Sequence, residues 1–249
     1  AIADIDIHGA DYMVKLKAYE GKGSVTANTR IDVRQMKYLA DVKANNLHLN
    51  HFVKGMGLGT FTGTINAKGK GFDFTDKSTL TDVKADIKRF QYDRNNLTNM
   101  KANVHLANGI ADATIKSANQ LYNDDIKLSA HRNKKNIHAT IATELSNIDL
   151  YKLHFVDVPL RLSLCGHIDF ESDLDQFYKV NGLVSDIRIK DSVETRHLDD
   201  IVLDVFTRKD TTAAHIYCGD FETKLNAQGG YKWLLGCSDR LMAVVDKQI

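Results

Sequence analysis

The sequence predicts an all-β fold, an elongated antiparallel meander with one apolar face, followed by a short C-terminal helix. Apolar and polar residues alternate along nearly the whole chain, which places the apolar side chains of each strand on one face. Gly, Asn and Asp separate the alternating stretches, as hairpin turns require. Pro159 is the only proline, so almost every backbone N–H group can join a β-ladder.

The first part of the chain contains a series of alternating stretches, each expected to be one strand with a water-exposed polar face. Turn signals such as Gly21-Lys22-Gly23, Ala107-Asn108-Gly109 and Asn123-Asp124-Asp125 separate them. The apolar positions are, in order, Ala3, Ile5 and Ile7; Val14, Leu16 and Ala18; Val25, Ala27, Ile31 and Val33; Phe61, Ile65 and Ala67; Val83, Ala85 and Ile87; Met100, Ala102, Val104 and Leu106; Ala111, Ala113 and Ile115; Ile126, Leu128 and Ala130; and Ile137, Ala139 and Ile141.

The alternation continues and then gives way to helical spacing. The later apolar groups are Leu160, Leu162, Leu164, Ile168 and Phe170; Ile201, Leu203 and Val205; Ala214 and Ile216; and Phe221, Leu225 and Ala227. Beyond them, residues recur at helical spacing after Ser238 and Asp239, a common kind of N-cap pair; they are Leu234, Leu235, Leu241, Met242, Val245 and Ile249. The sequence therefore predicts a helix over 234–249, which we expect to continue past Ile249 and to cap an end of the sheet.

An internal repeat of about 101 residues emerges when the chain is aligned with itself. At that offset Asn46-Leu47-His48-Leu49 pairs with Asn147-Ile148-Asp149-Leu150, and a small shift brings Gly63-Thr64-Ile65 onto Gly166-His167-Ile168. A block of strands that cannot bury its apolar face alone is stabilised by stacking on the next block. The sequence thus predicts that 1–249 is a fragment of a long repetitive protein, with approximate units 40–140 and 141–230.

Composition and charge describe a folded chain without a strong electrostatic field. Lys and Arg number 33 against 32 for Asp and Glu, and 43% of the residues are hydrophobic. A net charge of +1 does not attract nucleic acid, so we predict no nucleic-acid partner. The chain opens at Ala1 without a signal-like segment and has no apolar run near the ~18 residues of a membrane-spanning helix. We expect a segment of a longer protein.

The residues that usually carry chemistry form no recognisable constellation. The ten histidines are scattered without an HExxH pattern, and no GxSxG motif is present. The glycine-rich stretches 55–60 and 68–71 lack the strand, turn and helix of a phosphate-binding loop. Cys165, Cys218 and Cys237 fit no metal motif, although a Cys165 to Cys218 disulfide stays open. We predict no catalytic residue, no metal and no cofactor, and therefore not an enzyme.

The aliphatic rows permit three interpretations. In the first, acyl chains of phospholipid lie on the inward faces of consecutive strands. In the second, the rows pack against another sheet, in a structural or adhesive β-solenoid or sandwich with a closed core and a protein partner. The third is a polysaccharide-active β-helix enzyme. For the first, the candidate lining residues are Val83, Ala85, Ile87, Met100, Ala102, Val104, Leu106, Ala113, Ile115, Ile126, Leu128, Leu162, Leu164, Ile168, Ile201, Leu203, Val205 and Ile216.

Several segments resemble the TamB (translocation and assembly module B) family of the AsmA-like superfamily, in its Bacteroidota-type members. The resemblance is carried by 42–52, by 63–73, by the second copy 145–153, by 85–92, and by 97–100 with 238–242. It covers most of the chain, and its motifs are degenerate and include no catalytic signature.

The resemblance implies an open β-taco, a long curled sheet that forms a groove with an apolar interior. It further implies a periplasmic location, with an anchor in the inner membrane outside this fragment. The groove would bridge toward the outer membrane and carry phospholipid. It would also support outer-membrane biogenesis and protein assembly, with an outer-membrane barrel assembly protein as the partner of the parent chain.

Overall fold

The computed structural model describes residues 2–73, 76–119, 121–133 and 135–233. These residues form sixteen β-strands and one 3₁₀ helix, Leu49–His51, and residues 231–233 make a helical turn. The predicted helix over 234–249, together with Cys237, lies outside the described residues.

The strands follow one another with short connections. Their bounds are β1 Ile2–His8, β2 Asp11–Glu20, β3 Gly23–Asp32, β4 Lys37–His48, β5 Leu58–Lys70, β6 Leu80–Tyr92, β7 Asn95–Ala107, β8 Ile110–Ala118, β9 Asn123–Asn133, β10 Asn136–Asp149, β11 Arg161–Ser172, β12 Tyr178–Lys190, β13 Thr195–His197, β14 Ile201–Thr207, β15 Thr211–Cys218 and β16 Phe221–Gln228.

All sixteen strands belong to one antiparallel sheet in which sequence neighbours are spatial neighbours. β12 pairs with the short β13 over its last three residues and with β14 over residues 178–184. β1 and β16 form the two edges and do not pair with each other, so the sheet is open. Sheets of this width curl, because strand twist accumulates beyond about ten strands. The predicted all-β, open, groove-like meander is confirmed.

Hairpin turns supply the antiparallel connections. Asn108 and Gly109 both have positive φ, 55° and 73°, the combination that a two-residue type I′ turn requires. The stretch Asn123-Asp124-Asp125, predicted as a turn, instead begins β9, because its residues pair with both neighbouring strands. The connection before it is organised by Asn119, whose Oδ1 accepts hydrogen bonds from the backbone amides two and three residues later.

Bulges interrupt several strands near the same end of the sheet. The register shifts within β4, where it pairs with β5, and again within β10, where it pairs with β11. The extra residues include Asn46 and Asn147, with φ of 47° and 53°. Such bulges bend a strand and increase its twist. Because the bulge in β4 adds one residue, Leu47 returns to the face that Ala44 occupies.

The strand pattern of the first half recurs in the second. β4 begins at Lys37 and β10 at Asn136, β8 begins at Ile110 and β15 at Thr211, displacements of about 100 residues in each case. The predicted boundary between residues 140 and 141 lies inside β10. The strands of the two predicted units therefore join without a break, and the division into units stays a prediction.

The sheet is a single layer over the described ranges. Its extensive strand contacts are between sheet neighbours. In this part of the chain the buried apolar residues are Ala44, Leu47, Leu106 and Ile187, far fewer than a closed sandwich of this size buries. The apolar side chains are consequently one wall of an open trough.

Candidate functional site: the apolar face

The pairing register joins apolar side chains into rows that cross the whole sheet. Directly opposed residues of neighbouring strands share a face, so each row can be followed strand by strand from β1 to β16. The middle row contains Ile5, Val14, Thr29, Ala40, Ala67, Val83, Val104, Ala113, Leu128, Ile141, Ile168, Gly182, Leu203, Ile216 and Thr223.

Two further rows flank the middle row on the same face. One contains Ala3, Leu16, Ala27, Val42, Ile65, Ala85, Ala102, Ile115, Ile126, Thr143, Gly166, Val184, Ile201, Cys218 and Phe221. The other contains Ile7, Tyr12, Ile31, Tyr38, Gly69, Thr81, Leu106, Ala111, Ala130, Ala139, Phe170, Val180, Val205, Ala214 and Leu225. None of the three rows contains a charged side chain, so we call these rows together the apolar face.

The register places every candidate lining residue on this side of the sheet. Most belong to the three rows. Ile87, Met100, Leu162 and Leu164 stand beside them, toward the end of the sheet that carries the bulges. The candidates do not converge on a pocket, because they are distributed over strands β6 to β15. What they form together is an extended surface.

The same face begins earlier in the chain than the candidate residues do. Leu16, Val42 and Ile65 lie in one row with Ala85. The alternation of apolar and polar residues is the sequence signal that could have added these three residues to the candidates. The apolar face therefore includes the first five strands as well.

Side chains of the middle row remain accessible along the sheet. Val104 is 37% exposed, Ile168 36% and Ile216 38%. The fifteen strands on the main path, spaced about 4.8 Å apart, give this surface a length of about 70 Å. An uncharged row of partly exposed side chains of this length is a candidate binding surface.

The opposite face is polar over most of the sheet and is joined by side-chain contacts between strands. His105 Nδ1 lies 2.7 Å from Asp82 Oδ1, and Asn181 donates to Asp204 at 2.6 Å. The hydrogen bond with His105 lowers the pKa of Asp82, and the charge of Lys68 contributes to the same shift. A depression of about 640 Å³ lies on this face, among residues of β2 to β6 that include Asp82.

The two described cysteines are free thiols on opposite faces of the sheet. Cys165 lies on the polar face, whereas Cys218 belongs to a row of the apolar face. The disulfide that the sequence leaves open is therefore not formed. Burial raises the pKa of the Cys165 thiol, and the carboxylates of Asp186 and Glu144 raise it further. Cys165 consequently lacks the depressed pKa of an activated nucleophile.

Within the described ranges, no group of three or more His, Cys, Asp and Glu residues has a geometry that could hold a metal ion. The helical segments of these ranges include none that is long and apolar enough to cross a membrane. Comparisons of the chain with protein-family models, with curated proteins and with solved structures gave no match.

Proposed function

We propose that this chain is a segment of a lipid carrier, in which acyl chains lie on the apolar face. The observation that supports the proposal is the continuity of the three uncharged rows, which no second layer of described residues covers. Hydrocarbon gains free energy when it leaves water for such a surface, at about 0.8 kcal/mol for each fully buried CH₂ group.

The regular spacing of the rows favours movement of a bound chain along the sheet. An acyl chain that fills one leaflet of a ~30 Å hydrocarbon core is about 15 Å long, which corresponds to roughly three strand spacings. A shift by one strand replaces Val104 by Ala113, or Ile115 by Ile126, and these contacts are chemically alike. Binding without one fixed position is what a conduit requires.

The cellular setting follows from the resemblance to the TamB family and belongs to the same proposal. The segment would lie in the periplasm and form part of a bridge from the inner to the outer membrane. An inner-membrane anchor and an outer-membrane barrel assembly protein would be contacts of the parent chain. The proposed activity involves no catalysis and no cofactor.

A structural or adhesive module that binds a protein partner is the alternative. The observation in its favour is the edge strand β1, whose residues are all exposed. An edge of this kind can accept an added strand through its backbone groups. The closed core of that alternative does not fit the open sheet described above.

Photo-cross-linking in cells distinguishes the two functions. We expect a photoreactive residue at Val104 or Ile115 on the apolar face to yield lipid adducts. The matched control positions are their sheet neighbours on the polar face, Asn103 and Thr114, which pair with each other across β7 and β8. Adducts with protein only, or equal lipid adducts at both pairs of positions, would contradict lipid carriage.

A further inference from the structure

One patch on the apolar side of the sheet is polar. Ser117 on β8 lies directly opposite Asp124 on β9, and this pair stands between Met100 on β7 and Leu145 on β10. Thr143 on β10 belongs to the adjoining row, two residues along its strand from Leu145. The patch therefore adjoins the apolar face at the end that carries the bulges.

Three oxygen atoms of this patch are shielded from solvent without a hydrogen bond to any described residue. They are Ser117 Oγ, Asp124 Oδ1 and Thr143 Oγ1. Ser117 as a whole is 4% exposed. A buried polar atom without a partner is destabilising, and most such atoms in native proteins have one. A ligand that donates hydrogen bonds on this side of the sheet would supply the missing partners.

Tyr122 closes the patch toward the β8–β9 connection. Burial raises the pKa of Tyr122, its contact with the Ser117 side chain at hydrogen-bonding range lowers it in part, and the charge of Asp124 raises it again. That contact lacks the length or angle of a normal hydrogen bond, and Ser117 Oγ has no other partner among the described residues. Asn119 Oδ1 accepts a hydrogen bond from the backbone N–H of Tyr122, which fixes the backbone at this residue.

The patch carries a negative charge that no described cation neutralises. The nearby Lys116 faces the other side of the sheet, where its Nζ contacts Asp125 Oδ2 at 2.7 Å. Among the described residues, no ion pair includes Asp124. A carboxylate with two hydroxyl groups in an apolar setting favours a ligand group that is positively charged and donates N–H bonds.

We propose that this patch binds the protonated primary amine of an amphiphile whose acyl chains lie on the adjoining rows at Ile115 and Ile126. The inference rests on the proposed function and adds to it the head-group class. Asp124 accepts hydrogen bonds from the ammonium group, and the hydroxyl groups of Ser117 and Thr143 complete its surroundings. A quaternary ammonium lacks the N–H donors, and a glycerol head group lacks the positive charge.

The test measures which lipids the purified protein takes up from vesicles. The vesicles contain equal amounts of phosphatidylethanolamine, phosphatidylcholine and phosphatidylglycerol, and bound lipid is identified by native mass spectrometry and by extraction. We expect phosphatidylethanolamine to be enriched about tenfold over the other two, the ratio that one charge-assisted hydrogen bond supplies.

Variants assign the preference to this patch. Asp124→Asn is expected to abolish the enrichment while total bound lipid is retained, and Ser117→Ala to reduce it. The control Asp112→Asn lies on β8 with its side chain on the polar face, opposite Ser129, and is expected to keep the enrichment. Thermal unfolding of each variant checks the fold, and Ser117→Ala serves as the test if Asp124→Asn does not fold.

The outcomes separate the two proposals. If wild-type protein binds no lipid at all, both fail. If it binds the three lipids equally, lipid carriage stands and the head-group site is wrong. Enrichment that survives both Asp124→Asn and Ser117→Ala also overturns the assignment to this patch.

Discussion

The backbone amide of Asn46 donates a hydrogen bond to Thr62 Oγ1 at 2.9 Å, across the bulge at which β4 pairs with β5. In the second half of the chain, the amide of Asn147 donates to Ser163 Oγ at 3.1 Å. Both asparagines have positive φ. In both halves of the chain, a hydroxyl group on the neighbouring strand thus accepts the hydrogen bond of an amide that the bulge removes from the β-ladder.

Loss of the hydroxyl at Thr62 should destabilise the sheet. We expect Thr62→Val to lower the free energy of unfolding by about 1–2 kcal/mol, because the Asn46 amide then lacks its acceptor. Urea denaturation followed by circular dichroism measures the change. Thr64→Val is the matched control, since Thr64 lies on the same face of β5 and pairs with Lys43. Equal effects of both substitutions would exclude a specific role for the hydroxyl.

The backbone conformation at Asn147 should restrict which residues this bulge accepts. Asn147 has a φ of 53°, which glycine adopts freely and a β-branched residue does not. We therefore expect Asn147→Gly to change the free energy of unfolding little, and Asn147→Val to lower it by about 1–2 kcal/mol. Urea denaturation of both variants measures the difference. A neutral valine variant would show that the bulge does not require this conformation.

A charge on the apolar face should weaken lipid binding without unfolding the protein. Val104→Glu is expected to leave the protein folded, because this side chain is partly exposed and a carboxylate there keeps contact with water. Lipid cross-linking from position 115 should fall sharply, since acyl chains avoid a charge. Asn103→Glu, on the other face of the same strand, is the control. Loss of the circular dichroism spectrum in Val104→Glu alone would indicate a closed core.

We expect substitution of Gly69 by alanine to destabilise the protein, whereas substitution of Gly182 by alanine should be tolerated. The ring of Tyr38 lies across Gly69, and its hydroxyl meets Thr81 Oγ1 at 2.7 Å. A Cβ atom at Gly69 would collide with Tyr38 and with the Leu80 carbonyl, so we expect Gly69→Ala to lower stability by about 1–3 kcal/mol. At Gly182 the nearest atom is 3.6 Å from an added Cβ, and Gly182→Ala should be tolerated. Thermal unfolding of both variants tests the contrast.

Acid should weaken the fold through carboxylates whose pKa is lowered. Asp173 accepts hydrogen bonds from the amides of Phe177, Asp175 and Gln176, each at 2.9 Å, and they lower its pKa. A lowered pKa in the folded state gives stability that is present above the unfolded pKa, about 3.9, and lost as pH falls through the folded pKa. The free energy of unfolding should therefore decline below about pH 4. In Asp173→Asn the decline should be shallower.

The apolar groups predicted from the sequence omit β4, β12 and β13 and include Val33 and Leu160, which lie just outside β3 and β11. For the remaining strands, the alternation predicted both the strand and the face that its apolar residues occupy. It did so because the period of a strand is two and the turns are short, which leaves little freedom in the register. The bulges escaped prediction, since Asn46 looks like an ordinary polar position until the apolar pattern resumes at Leu47. The polar patch escaped too, because Asp124 stands among residues typical of turns. Its proposed role depends on Ser117, and only the strand pairing shows that Ser117 lies opposite Asp124.

A single-layer sheet of hairpins can become longer or shorter while its architecture stays the same. Each added hairpin extends the sheet by about 10 Å and returns the chain to the end from which it started. Because contacts are made with adjacent strands, an insertion or duplication disturbs only the two strands that it separates. The span of such a protein can therefore be set by copying a short stretch of gene, and matched to whatever distance it must cover.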